Sequence, residues 1–378
     1  MILLEIYIVK SGDTLYQIAN NYGVSVDELV FYNQLENPSV LSVGQALVIP
    51  VGESQNLGSI IVNGYITDTS NSTLNATLPY LTFMSPFSYR SDINGNLVKT
   101  FSVNIDLSRT QRVANLMTVT NLKEAGGFSS DIAHGIFTNE AVQDTFIGNV
   151  ETVLALGGFY GVNVDFEYIY PFDRQSYNQF LARFTDRMHS LGYIVTTALA
   201  PKISDEQQGL LYSAHDYAFH GRTVDYVILM TYEWGYTYGP AMAVAPINMV
   251  RRVLNYATEV IPPNKIFMGV PNYGYNWTLP FVQGTAARAV SNIRAVTLAG
   301  EEKVSIEFDE VVMAPFFRYN DNEGRLHEVW FEDARSLQAK YGLVNEYGLG
   351  GISYWNLNTL FRTNFIVLES MYTIEKVL

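Results

Sequence analysis

Apolar and polar positions alternate strictly over residues 161–167, Gly-Val-Asn-Val-Asp-Phe-Glu. The alternation sends Val162, Val164 and Phe166 to one face of an extended segment and Asn163, Asp165 and Glu167 to the other. At about 3.3 Å rise per residue, Asp165 and Glu167 project side by side roughly 6 to 7 Å apart, with Glu167 nearer the C-terminal end. Seven more apolar, β-rich runs occur, at 60–66, 80–88, 117–122, 193–200, 226–232, 266–270 and 350–355. Helix-periodic stretches separate them; over 175–191, for example, Phe180, Leu181, Phe184 and Met188 share one face. Counted with 161–166 they make eight strands alternating with helices, which predicts an α/β chain closed into a (β/α)8 TIM barrel from residue 59 to residue 378. Only the gap after the seventh strand is too long for one helix. Its residues, about 275–345, carry β-like runs at 311–319 and 328–331 and predict a small α+β insertion.

The first 50 residues follow a different rhythm, with a strand at each end and two helices between them. Leu15, Ile18, Ala19 and Tyr22 fall at helical spacing, Asp13 is placed to cap that helix, and Gly23 suits its C-terminal end. Ser25 to Glu28 reads as a capping box opening the second helix. Residues 51–58 combine Gly, Glu, Ser, Gln and Asn without periodicity and predict a linker.

Composition narrows the function. A formal charge of −14 with no basic stretch excludes a nucleic-acid partner, because phosphate binding needs a positive groove. No cysteine means no thiol nucleophile and no disulfide framework. The five histidines fall in no metal-ligand spacing, so neither a metal nor another cofactor is expected. No apolar run reaches 18 residues, which predicts no transmembrane helix and no membrane partner. The opening residues lack a basic stretch and meet Glu5 early, unlike a signal peptide. The chain is rich in aromatics, with 26 Tyr, 21 Phe and 4 Trp, whose faces suit the apolar faces of sugar rings.

The acidic strand resembles the fourth-strand motif of glycoside hydrolase family 18, D-x-x-D-x-D-x-E. Tyr160, Asn163, Asp165 and Glu167 stand at its four positions, so the last two, nearest the reaction, match and the first two depart. Met230 and Tyr232, followed by Glu233, resemble that family's M-x-Y-D. Phe267 to Trp277, with Asn272 and Tyr273, resembles its seventh strand and loop, and Gly350 to Trp355 its eighth. The resemblance implies that Glu167 is the general acid, that Asp165 and Tyr232 hold the substrate's 2-acetamido group, and that Trp355 floors the sugar site. Asn163, Met230, Glu233, Asn272, Tyr273 and Trp277 are expected nearby as substrate-binding residues. It also implies substrate-assisted retention, in which the acetamido oxygen attacks C1.

Residues 7–50, from Tyr7-Ile-Val-Lys-Ser-Gly-Asp-Thr-Leu15 to Gly44-Gln-Ala-Leu-Val-Ile-Pro50, resemble a LysM module, a binder of N-acetylglucosamine polymers. By that likeness Gly12, Asp13, Thr14, Leu35, Asn37 and Pro38 face the glycan. Taken together, the motifs resemble those of the bacterial spore-cortex-lytic N-acetylglucosaminidases. This implies peptidoglycan as partner and substrate, a spore coat or cortex location reached without a signal peptide, and a monomer. Three alternatives stay open: chitin as the substrate, Glu233 as an enzymic nucleophile, and a non-catalytic glycan-binding or spore structural protein.

Overall fold

The computed structural model describes residues 2–53 and 56–378; Ser54 and Gln55, inside the expected linker, lie outside the described residues, as does Met1. Eight parallel strands close on themselves: Ser59–Ile66, Phe83–Pro86, Ala114–Thr120, Gly161–Asp165, Ile194–Leu199, Tyr226–Leu229, Ile266–Pro271 and Gly351–Trp355. All eight expected runs are present, and helices pack outside them, as the alternating pattern requires. The run beginning at Tyr80 starts late as a strand, because Pro79 sets up a 3-10 turn over Leu78–Tyr80.

The barrel interior is graded along its axis. Ile61, Phe83, Leu116, Ala198, Ile228 and Phe267 fill one apolar cluster. Further along, polar side chains satisfy one another: Ser85 donates to Asn63 at 2.7 Å, and Asn63 donates to Ser353 at 2.9 Å. Asn163 accepts from the Tyr65 hydroxyl at 2.8 Å and donates to Thr196 at 2.8 Å. Buried polar groups persist in such a core only when paired in this way. The acids come after this layer, at the C-terminal mouth. On the opposite face of the fourth strand, Val162, Val164 and Phe166 join the large cluster between strands and helices. The helix Arg174–Ser190 buries Phe180, Leu181, Phe184 and Met188 there, as its periodicity predicts.

Between the seventh and eighth strands, Tyr273–Leu279, Arg288–Ser291, Glu307–Asp309, Ala314–Asn320 and Leu326–Trp330 form a five-stranded antiparallel sheet. The helix Asn292–Glu301 covers it through Ala295, Leu298 and Ala299. The following helix, Ala334–Tyr347, buries Leu337, Tyr341, Leu343 and Val344 in the main barrel cluster, so that stretch belongs to the outer ring.

The N-terminal unit pairs Ile2–Ile8 antiparallel with Ala46–Glu53 and places the helices Leu15–Tyr22 and Val26–Asn33 between them. The Ser25–Glu28 capping box forms. The first helix is capped by Thr14, not Asp13. The Asp13 carboxylate is turned back into its own loop, where it accepts from the Tyr7 hydroxyl at 2.7 Å and the Lys10 N–H at 2.8 Å. This unit sits firmly on the barrel. Gln34 donates to Leu360 O at 3.1 Å and accepts from the Arg362 N–H at 2.8 Å, while the Arg362 guanidinium lies 4.2 Å from the Phe31 ring centre. Ile306 donates to Val43 O at 2.8 Å, and Gly44 passes so close that an added Cβ would stand 1.9 Å from Ile306 O. The expected linker is also tied down, through Leu57 N–H to Met371 O at 2.9 Å and Asn56 to Thr373 at 2.8 Å.

Candidate active site

A cavity of about 380 Å³ opens at the C-terminal mouth, and Asp165, Glu167, Met230, Tyr232, Glu233 and Trp355 all line it. Such a size and position suit a small-ligand site in a barrel of this kind. Glu167 lies two residues past the end of its strand, yet its backbone is fixed on both sides. Asn121, just after the third strand, accepts the Glu167 N–H at 3.0 Å and donates to its carbonyl at 2.8 Å. One residue earlier, His215 bonds to Phe166 O at 3.0 Å. The other ring nitrogen accepts the Ala200 N–H at 3.0 Å, so Nε2 carries the proton and donates. Burial holds His215 down to about 4, which keeps it neutral in this role.

The carboxyls themselves are almost unassisted by the protein. Asp165 is buried, and its Oδ1 has no hydrogen-bond partner among the described residues. Burial raises its pKa, and Glu167 is raised well above the ordinary range by burial first, then by the charges of Asp165 and Glu233. Two carboxyls so placed favour holding a proton between them near neutrality. Glu233 differs, because it accepts from the hydroxyls of Tyr273 and, at 3.0 Å, of Tyr275. It adopts φ +67°, uncommon for a residue with a Cβ and found most often where a site imposes it. Tyr232 turns its ring toward Gly269, where an added Cβ would stand 2.7 Å from Tyr232 Cε1. The Thr231 hydroxyl donates to Gly269 O at 2.8 Å and holds this crossing.

Trp355 is half-buried, with its indole edge-on to Tyr65 at 5.5 Å and to Phe87 at 4.8 Å between ring centres. Tyr65, Phe87, Phe128 and Leu211 complete the walls and were not singled out from the sequence; Tyr65 shares a strand face with Asn63, the one available signal. Three expected sugar contacts do not line this cavity. Trp277 is buried in the insertion, where its indole N–H donates to Gly239 O at 2.8 Å and its ring lies edge-on to Tyr275, its neighbour on the same strand face, at 5.5 Å between centres. Asn272 is buried and donates to Asn356 O and Thr359 O, both at 3.1 Å, so it fastens the loop after Trp355. Asn163 is enclosed in the barrel's polar layer and does not line the cavity. Tyr273 reaches the site through Glu233. In the N-terminal unit, Leu35 and Asn37 line a separate groove against the insertion, whereas Gly12, Asp13, Thr14 and Pro38 do not. Among the described residues no group of acidic, histidine or cysteine side chains is arranged to hold a metal.

The buried Asp165, the partly buried Glu167 and the half-buried Trp355 thus share one cavity at the mouth of a closed (β/α)8 barrel. Residues 106–359 match the profile of the glycosyl hydrolases family 18, and the chain belongs to that family; residues 7–50 match the LysM domain. Among its relatives is the cortical fragment-lytic enzyme of Bacillus subtilis (strain 168), 42% identical over 99% of both chains. The corresponding enzyme of Bacillus cereus is 40% identical over 99% of this chain and all of its own. The solved spore cortex-lytic enzyme SleL of Bacillus megaterium QM B1551 superposes with a TM-score of 0.95 at 34% identity, all of both chains being covered.

Proposed function

We propose that the protein hydrolyses the β-1,4 bond after N-acetylglucosamine in spore-cortex peptidoglycan fragments, with retention and with the substrate's own acetamido group as nucleophile. The observation that carries this reading is the unpartnered Asp165 Oδ1 in one cavity with Glu167, whose pKa is raised by burial and by the charges of Asp165 and Glu233. Glu167 gives its proton to the glycosidic oxygen as the C1–O bond breaks, and the acetamido oxygen closes on C1 to form an oxazolinium ion. Asp165 accepts the acetamido N–H as positive charge develops there, and the Tyr232 hydroxyl aligns the acetamido oxygen. The Glu167 carboxylate then takes a proton from water as that water opens the ring at C1, which restores the acid. Glu233 is a poorer nucleophile, because two tyrosine hydroxyls already donate to its carboxylate. The spore cortex as substrate, and with it a wall-associated location, follows from the names of the relatives and from the LysM module.

The bond is fixed by the mechanism. The reacting sugar must carry a free acetamido group, which muramic-δ-lactam lacks, so new reducing ends are expected on N-acetylglucosamine. Borohydride reduction of the products followed by mass spectrometry reads this directly. Reduced muramic residues as the dominant new ends overturn both the bond assignment and the mechanism. Faster cleavage of chitin oligomers than of cortex fragments moves the natural substrate to chitin.

A further inference from the structure

Two more hollows can be traced outward from the acid cavity along shared segments of chain. The first, about 270 Å³, has Trp355 in its wall, as the acid cavity does. Its other walls include Ser291 from the insertion and Thr359 from the loop after the eighth strand. The second, about 450 Å³, continues along the same two segments, being lined by Ile293, two residues past Ser291, and Phe361, two past Thr359. Its facing wall comes from the LysM module and includes the loop at Leu35 to Asn37.

The lining of this second groove mixes apolar and polar groups, as ligand sites do. Ile293, Val296 and Phe361 give it an apolar floor, while Asn37, Thr297 and Lys303 edge it with polar groups. The Asn37 carbonyl oxygen accepts the Ser39 N–H at 3.1 Å, which leaves its amide N–H groups to face outward. Lys303 has no ion-pair partner among the described residues. The geometry is fixed as well, because the Gln34 bonds to Leu360 and Arg362, the bond from Thr297 to Glu36 at 3.2 Å and the Ile306 bond to Val43 brace the loop against barrel and insertion.

We propose that this groove is a remote subsite of the catalytic cleft: a glycan strand held over Glu167 continues past Trp355 and seats between the LysM loop and the insertion helix. The module then extends the cleft on a single strand and is not an anchor tethered to some other part of the wall. This rests on the reading above that the substrate is an N-acetylated glycan. A rigidly placed remote contact raises the effectiveness of long substrates without touching the reacting bond.

The test is a length series of soluble N-acetylglucosamine oligomers and soluble cortex glycans, with the full chain and with Thr297→Arg. The arginine fills the groove while its guanidinium can pair with Glu36. Wild-type kcat/KM is expected to step up, about tenfold or more, at the length that first reaches the groove. In Thr297→Arg the step disappears, mainly through KM, and short oligomers turn over as in wild type. Asn37→Ala and Lys303→Ala, both at exposed positions, decide the matter if the arginine lowers the melting temperature; each should shrink the step. A smooth length dependence in wild type, a step that survives in all three variants, or an effect confined to insoluble wall overturns the remote subsite while leaving the catalytic reading intact. Failure of wild type to cleave any glycan of the series overturns both.

Discussion

Replacing Glu167 by Gln separates two consequences of burying one carboxyl, and they run in opposite directions. The amide keeps the shape but cannot deliver a proton, so kcat is expected to fall by roughly 10² to 10⁴ or more. Stability moves the other way. The Glu167 pKa lies well above its ordinary 4.5, through burial and then through the charges of Asp165 and Glu233. A group raised in the folded state contributes stability that is fully present below the unfolded value and is lost as pH rises through the folded value. Each tenfold excess of proton affinity in the folded protein corresponds to about 1.4 kcal/mol lost once the carboxyl ionises. The amide cannot ionise and loses nothing. Glu167→Gln is therefore expected to melt a few degrees above wild type in mildly alkaline buffer, with the gap closing as pH falls toward 4. Calorimetry from pH 4 to 9, with turnover of a short oligomer measured in parallel, checks both halves. A melting difference that does not change with pH, or activity near that of wild type, refutes the assignment of Glu167 as the buried acid.

Asp165→Asn and Tyr232→Phe are each expected to lower kcat/KM by about 10² or more, since both act on charge and geometry that develop in the transition state; unchanged kinetics on short oligomers in either moves the acetamido contact elsewhere. Tyr273→Phe removes one of two donors from the partly buried Glu233 carboxylate and is expected to cost about 1 to 2 kcal/mol in denaturant unfolding, with no loss refuting that bond as a support of the site. Gly44→Val is expected to loosen the LysM module, because the added Cβ meets Ile306 O and the residue sits at φ +82°. Faster proteolysis within residues 51–58 reads this, and an unchanged cleavage rate counts against firm docking.

The barrel was legible in the sequence because its signal is repeated eight times, and a two-residue periodicity survives errors at either end of each strand. The acids were legible for the same reason, since the face opposite Val162, Val164 and Phe166 had to point into the barrel. The loops were much less so. Asn121 grips the backbone of Glu167 from 46 residues away through its side chain, and such a contact leaves no periodic trace. His215 holds Phe166 in the same hidden way. In Tyr273 to Trp277 the aromatic residues and their shared strand face were visible, but not what each meets along it: Tyr273 and Tyr275 reach Glu233, and Trp277 reaches Gly239 O. The cap of the first LysM helix shifted by one residue because the hydroxyl of Tyr7, six residues back, claims the Asp13 carboxylate.

The departure at Asn163 bears most directly on the chemistry. A carboxyl at that position would stand in the barrel's polar layer and compete for a proton with Asp165, two residues on. The asparagine cannot share a proton, and both ends of its amide are engaged, by Tyr65 and by Thr196. Nothing from below therefore reaches Asp165 Oδ1, which stays a bare acceptor at the floor of the cavity. A bare buried acceptor is costly in the free protein, and the cost falls when a donor arrives. In the proposed reaction that donor is the acetamido N–H, whose bond to Asp165 strengthens as the nitrogen becomes positive. An amide at position 163, with both its ends engaged, thus offers Asp165 no proton to share and leaves the ordering of protons to Asp165 and Glu167.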